Sequence, residues 1–210
     1  MIPGPTVFVV DDDEALRNCI RRLVESVHLQ VETFGSAEEF LQAYSPSRAG
    51  CLVLDVRMPG ISGLELQRRL MQLGYTLPVI MLSGYGDVTV AVRAMKAGAV
   101  SFLEKPFNEN LLLDAIREAI GQNAQNRQEH AQVVEIQSRI DRLTPRERQV
   151  MDLLVDGNVS KAVAAKLQLS RKTVDVHRAH VMKKLQAKTI ADLVRFALLS
   201  RTSRGIPDPP

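Results

Sequence analysis

The 210-residue sequence predicts two domains of different class: an α/β domain on a doubly wound, five-stranded parallel sheet, then a compact all-α domain of four helices containing a helix-turn-helix. Three observations carry this. Short apolar, β-rich runs recur five times in the first 120 residues and alternate with segments of helical period, the pattern of βα units. Beyond residue 143 capped helical segments follow one another, with joints of three to five residues. Charge divides at the same place: residues 1–120 hold 11 lysines and arginines against 15 acids, a net −4, and residues 121–210 hold 16 against 9, a net +7.

The first strand is Thr6-Val7-Phe8-Val9-Val10, and the others are expected at Val31 to Phe34, Cys51 to Leu54, Pro78 to Leu82 and Val100 to Leu103. Runs so apolar read as buried strands. Leu16, Ile20, Leu23, Val24 and Val27 mark the first helix, and Leu64, Leu66, Leu70 and Leu73 mark the third. Ser36-Ala37-Glu38-Glu39 has the pattern of a capping box at the second helix, and Gly74 and Gly98 fall where helices should stop. The fifth βα unit is expected to end near Ile120, closing a domain over residues 1–120.

Residues 121–142 are polar, but Val133, Ile136, Ile140 and Leu143 keep an apolar helical stripe, so a helical linker is expected. The stripe fits either a coiled coil or packing onto the next domain. Over residues 143–200, Thr144-Pro145-Arg146-Glu147 combines an N-cap threonine, a proline at the first helical position and a glutamate at the third. Gly157 ends that helix, Ser160 caps a short one through Leu167, Ser170 caps another through about Leu185, and Thr189 starts the last. Residues 201–210, with three prolines, are expected to be a disordered tail.

Composition removes several classes. Apolar content of 45% with 24% charge excludes a disordered or fibrous chain. No run of eighteen apolar residues and no basic-then-apolar start occurs, so a cytoplasmic protein without a membrane partner is expected. Cys19 and Cys51 lack metal-ligand spacing, and both are expected to be reduced and packed. Aromatic content of 4% provides no stacking platform for single-stranded nucleic acid.

Functional groups of a parallel α/β sheet gather at the carboxyl ends of its strands. Here the first strand runs into Asp11-Asp12-Asp13-Glu14, the third ends at Asp55, the fourth at Ser83-Gly84, and Lys105-Pro106 follows the fifth. Alone, each has a bland reading: a helix start capped by Asp13, a turn aspartate, a loop lysine. Together they crowd carboxylates on one edge, where like charges repel unless a hard cation joins them. The oxygen preference of Mg²⁺ suits that site.

These residues resemble a bacterial response-regulator receiver domain from residue 6 to about 120. The likeness lies in Val9-Val10-Asp11-Asp12, Leu54-Asp55-Val56-Arg57-Met58-Pro59-Gly60, Leu82-Ser83-Gly84, Ala94-Met95-Lys96-Ala97-Gly98-Ala99 and Phe102-Leu103-Glu104-Lys105-Pro106-Phe107. The resemblance implies a flavodoxin-like sheet of order 2-1-3-4-5, with Asp55 accepting a phosphoryl group from a sensor histidine kinase. It implies Mg²⁺ held by Asp12, Asp55 and the Arg57 carbonyl, with Asp11 assisting, and phosphoryl oxygens bound by Ser83 and Lys105. Phe102 would be the aromatic that turns inward when Ser83 moves. It also raises the chance of a cis Lys105–Pro106 peptide. Tyr85 departs from relatives that carry histidine there, and Ser83 keeps the hydroxyl of the usual threonine.

Residues 143–187 resemble the LuxR/FixJ-type helix-turn-helix through Leu143-Thr144-Pro145-Arg146-Glu147, Val150, Leu153, Gly157, Lys161, Ala164, Leu167, Leu169-Ser170, Thr173-Val174, His177 and Lys184-Leu185. The pair resembles the FixJ/NarL class of response regulators. At about 100° per residue, Lys172, Asp175, Val176, Ala179 and Lys183 share one arc of the third helix, and Val174, Val181 and Leu185 lie opposite. The arc is the face for a major groove, with Arg171, Thr173, His177 and Lys184 flanking it for phosphate contact. His177 fits a packed, hydrogen-bonded histidine equally well. Asp175 either accepts from a cytosine amine or orients Lys172 or Arg171.

The expectation is therefore a transcription factor of a two-component system, binding double-stranded promoter DNA, forming a homodimer when phosphorylated, with RNA polymerase a further candidate partner. It is not an enzyme, slow loss of its own phosphoryl group apart. A phosphatase or nucleotide-binding protein fits less well, because no phosphate-binding glycine loop follows the first strand and Arg57 stands where aspartyl phosphatases carry a second acid. A LuxR-type sensor of small molecules would not need Asp12, Asp55 and Lys105.

Overall fold

A computed structural model of the protein describes residues 4–84 and 88–203, with side chains through Ser200. Tyr85, Asp87 and residues 204–210 lie outside the described residues. The chain divides into two compact units between Arg127 and Gln128.

The first unit alternates β1 (Thr6–Val10), α1 (Glu14–Ser26), β2 (Gln30–Phe34), α2 (Ala37–Ala43), β3 (Gly50–Asp55), α3 (Gly63–Gln72), β4 (Val79–Ser83), α4 (Val88–Lys96) and β5 (Ser101–Glu104), and enters α5 (Glu109–Asp141). The five strands are parallel in the order β2-β1-β3-β4-β5. Residue alternation divides the core between the faces of the sheet. Phe8, Val10, Leu52, Leu54 and Met81 pack with Phe40, Leu66, Leu70 and Ala94 on one side. Val7, Val9, Cys51, Val53, Ile80 and Leu82 pack with Ile20, Val24, Leu112 and Ile116 on the other. β1, β3 and β4 are buried throughout, as their sequences predict. β2 and β5 are not, because they are the edges and each has a neighbour on one side only.

Two local expectations are corrected. Ser36 accepts from the Glu39 amide, but Glu39 Oε2 accepts from the Gly35 amide at 2.8 Å, so the reciprocal half of the capping box is displaced by one residue. Cys51 is buried, which pushes its thiol up to about 12, whereas Cys19 is exposed. Cys19 precedes Ile20 on α1 and is thus rotated by about 100° from the buried line of Ile20 and Val24. The segment expected as a helical linker is helical, and it is continuous with the receiver's last helix: α5 is one helix of 33 residues.

The second unit contains the end of α5, then α6 (Pro145–Val155), α7 (Ser160–Leu167), α8 (Arg171–Leu185) and α9 (Ile190–Ser203). Ile136 and Ile140 of α5 join Leu143, Val150, Leu154, Val163, Val174, Val181, Leu185 and Leu193 in its core, so the apolar stripe packs onto this domain. The capping box at Thr144 and Glu147 is complete. α7 begins one residue earlier than expected: Val159 is its N-cap, no side chain caps it, and Ser160 is already helical. α9 runs to Ser203, into the segment expected to be a tail.

Candidate functional site

Asp11 leaves β1 with its amide bonded to the Phe34 carbonyl, and its side chain is only 1% exposed. Its Oδ1 accepts from the Asp13 amide at 2.9 Å. Asp13 has turned away to cap α1, accepting from the amides of Ala15 and Leu16. Asp12, between them, is exposed. One acidic run therefore serves two purposes: Asp13 starts a helix, and Asp11 and Asp12 face the sheet edge.

Asp55 ends β3, is 5% exposed, and accepts from the Arg57 amide at 2.8 Å through Oδ2. Lys105 reaches across from the loop after β5, its ammonium 2.6 Å from Asp55 Oδ1 and 2.6 Å from Asp11 Oδ2. Its backbone amide donates to the Ser83 carbonyl at 2.7 Å, which registers the lysine against the end of β4. The Lys105–Pro106 peptide is cis. Ser83 is buried, and Phe102 is half-buried on β5, against the α3/α4 side of the core.

Burial pushes the Asp55 carboxyl above its ordinary range, with repulsion from Asp11 adding to the effect and Lys105 opposing it. For Lys105 burial acts downward, but the two carboxylates outweigh it and hold the ammonium charged above the usual lysine value. Asp11, Asp12 and Asp55 each present a carboxylate oxygen within 4.8 Å of the others. An all-oxygen set of hard, anionic donors fits Mg²⁺.

Two contributors were not singled out in the sequence. Arg17, one turn into α1, donates to the Asp11 carbonyl at 2.6 Å and braces the acidic turn. Gly63 opens α3 so close to Asp55 that a Cβ there would lie 2.1 Å from the Asp55 carbonyl oxygen. A glycine in the first turn of a helix, after the Ser62 cap, was the available signal for that approach.

In the second unit, Ser170 caps α8 by accepting from the Thr173 amide at 3.0 Å. Val174, Val181 and Leu185 are buried, while Lys172, Asp175, Val176, Ala179 and Lys183 are exposed on the other side, with Arg171 exposed at the start. Thr173 and His177 are half-buried at the margin, and the Thr173 hydroxyl is 2.8 Å from that of Ser170. Arg171 Nε lies 3.9 Å from Asp175 Oδ2, a loose pair one turn apart. Lys184 is at the far end of the helix, 2.6 Å from the buried Glu147 and donating to the Arg142 carbonyl. Burial acts to raise the Glu147 carboxyl, but Lys184 and the Thr144 amide prevail and hold it below its usual range. Among the described residues, no helix is long and apolar enough to cross a membrane.

Comparison with known proteins identifies both domains. Residues 7–117 match the response regulator receiver domain, and residues 141–197 match the LuxR family of bacterial regulatory proteins. The chain is 46% identical over 191 residues to nodulation protein W of Bradyrhizobium diazoefficiens, covering 91% of this chain and 84% of that one. It is 48% identical over 195 residues to the transcriptional regulatory protein FixJ of Azorhizobium caulinodans, covering 92% of each. The solved structure of response regulator StyR superposes with a TM-score of 0.83 at 43% identity, over 93% of this chain and 99% of that one. A receiver domain implies a sensor kinase as partner, and a LuxR-family domain implies DNA. With the sheet order, the acidic cluster and the helix-turn-helix all accounted for, the chain belongs to the NarL/FixJ class of response regulators.

Proposed function

We propose that this protein is a cytoplasmic transcription factor switched by phosphorylation of Asp55. The observation that carries the reading is the placing of Asp55 beside Asp11, Asp12 and Lys105, brought together from the ends of β1, β3 and β5. An Asp55 carboxylate oxygen forms a P–O bond while the P–N bond to a kinase phosphohistidine breaks, and the leaving imidazole keeps the electron pair and takes up a proton. Burial strips solvent from the Asp55 nucleophile, the Arg57 amide orients its second oxygen, and Lys105 provides a fixed positive charge for oxygens that gain negative charge in transfer. Bound through Asp11, Asp12, Asp55 and the Arg57 carbonyl, Mg²⁺ would neutralise the carboxylates and the incoming phosphoryl oxygens. Once the phosphoryl group is attached, Lys105 and Ser83 hold its oxygens, and the half-buried Phe102 turns inward as Ser83 moves.

The output is DNA binding through α8. Lys172, Asp175, Val176, Ala179 and Lys183 face the major groove, and Arg171, Thr173, His177 and Lys184 lie where the backbone phosphates pass, with the Lys184 ammonium also pairing with Glu147. Phosphorylation favours a homodimer through α4 and β5, where Val88, Val92 and Met95 form an exposed apolar row at helical spacing. RNA polymerase is a further partner consistent with a promoter-bound regulator. Incubation with acetyl phosphate and Mg²⁺ tests the reading: mass spectrometry should find one Mg²⁺-dependent phosphoryl adduct, absent from Asp55→Ala. An adduct retained by that variant would place the acceptor elsewhere.

A further inference from the structure

The first turns of the segment between the domains are polar in sequence, yet two of their side chains are engaged in full with the receiver. Asn123 is 3% exposed. Its Oδ1 accepts from the Gly50 amide at 3.1 Å, and its amide nitrogen donates to the Thr76 carbonyl at 3.4 Å. It thus joins the entries to β3 and β4, at the end of the sheet opposite Asp55. One turn later, Arg127 donates to the Pro46 carbonyl at 2.9 Å and to the Ser47 carbonyl at 2.6 Å.

The loop that receives Arg127 is itself held. Arg48 pairs with Glu32 of β2 through two bonds of 2.8 and 2.5 Å, and its guanidinium lies 4.7 Å from the centre of the Phe8 ring. Gly50 is fixed against β1, since a Cβ there would fall 1.8 Å from the Thr6 carbonyl oxygen. The acceptors and the donor that meet Asn123 and Arg127 are therefore backbone groups of stiff segments. A flexible linker would not need these contacts, and the compact receiver unit ends at Arg127, where they end.

We propose that Asn123 and Arg127 are positioning residues that fasten the start of the interdomain stretch of α5 to the receiver, so that a change in the receiver reaches the DNA-binding domain through a helix that cannot swivel at its root. The inference rests on the phosphorylation-switched reading above. Phosphoryl transfer does not involve these residues, which stand a full strand length from Asp55. Coupling between the two domains does.

The test uses the full-length chain with Arg127→Ala, Arg127→Lys and Asn123→Ser, and as probe a DNA duplex selected from a random pool by acetyl-phosphate-treated wild-type protein. All variants should gain a phosphoryl group at a rate within about twofold of wild type. In the wild type, phosphorylation should change affinity for the duplex by about tenfold; in Arg127→Ala and Asn123→Ser the ratio should fall to within about twofold. Hydrogen exchange over residues 121–127 should quicken in both, and Arg127→Lys, which keeps donors for the two carbonyls, should restore the ratio. Faster exchange with an undiminished ratio overturns the proposal, because the fastening would then be local. Unchanged exchange overturns it too, because the bonds would hold nothing. A wild-type protein that becomes phosphorylated with no change in affinity would instead overturn the underlying functional reading. Arg127 is only half-buried, so its variants keep the test decisive if Asn123→Ser fails to fold.

Discussion

Gly63 shows how much of the phosphoacceptor geometry depends on a residue with no functional group. Its Cα lies against the carbonyl of Asp55, and the obstructing atom for any side chain is backbone, which cannot rotate aside. Gly63→Ala should therefore push β3 and α3 apart at the point where Asp55 is aimed. Overpacking of this kind costs about 1–3 kcal/mol, read as a lower urea midpoint. Misplacing a reacting group by about 1 Å can cost up to about 100-fold in rate, so acetyl-phosphate labelling of Asp55 should slow even at temperatures where the variant is fully folded. Labelling at the wild-type rate would show that the strand absorbs the methyl group without moving the carboxylate. Sequence reading found Asp11, Asp12, Asp55 and Lys105 because their charges recur at strand ends. Gly63 and Arg17 act through the backbone, and that leaves little trace in a residue pattern.

At the scale of single elements, α6 and α8 are joined by one carboxylate. Glu147 closes the capping box of α6 and accepts the Lys184 ammonium of α8, so its ionised form accepts two bonds. Its folded pKa is held below the unfolded value of 4.5. A depressed acid stabilises the fold fully above the unfolded value, and that contribution is lost as pH falls from about 4.5 through the folded value. Hydrogen exchange in α6 and α8 of the intact chain should thus show opening that grows on acidification below that point. Glu147→Gln should weaken the same helices by about 1–2 kcal/mol at neutral pH and remove most of the acid dependence. On α8 itself, the Arg171–Asp175 distance of 3.9 Å is too long for a hydrogen bond, so Asp175 keeps its acceptor capacity for a base. Asp175→Ala should relax preference at one base pair per half-site, by about 1–3 kcal/mol of discrimination. Equal weakening on every duplex would mean instead that Asp175 only orients Arg171.

Across the whole molecule, the acidic first half and basic second half suit a receiver that meets a kinase and a domain that meets a polyanion. If the exposed row of Val88, Val92 and Met95 is the switched surface, light scattering should show monomer before acetyl-phosphate treatment and dimer after it, with Val92→Asp holding the phosphorylated chain monomeric. Coupling of this type amounts to about 1–3 kcal/mol, so the shift should be partial at micromolar concentrations. An unchanged mass over that range would direct attention to other surfaces.

The order of elements, the class of both domains and the charged residues of the receiver site were legible in the sequence, since hydrophobic period, capping residues and strand-end charges are local properties. What the tertiary structure alone decided was which of these local features meet. β2 and β5 read as buried strands but stand at the edges, Cys19 looks packed but is turned out, and Lys184, expected beside phosphate, also pairs with Glu147 across two helices. Most telling is the polar stretch after Ile120. Its composition reads as a linker, yet Asn123 and Arg127 find partners 47 to 81 residues away in sequence, at the entries to β3 and β4. Polar side chains carry no label for whether water or a distant carbonyl satisfies them, and only the closure of the sheet brings those backbone groups within reach.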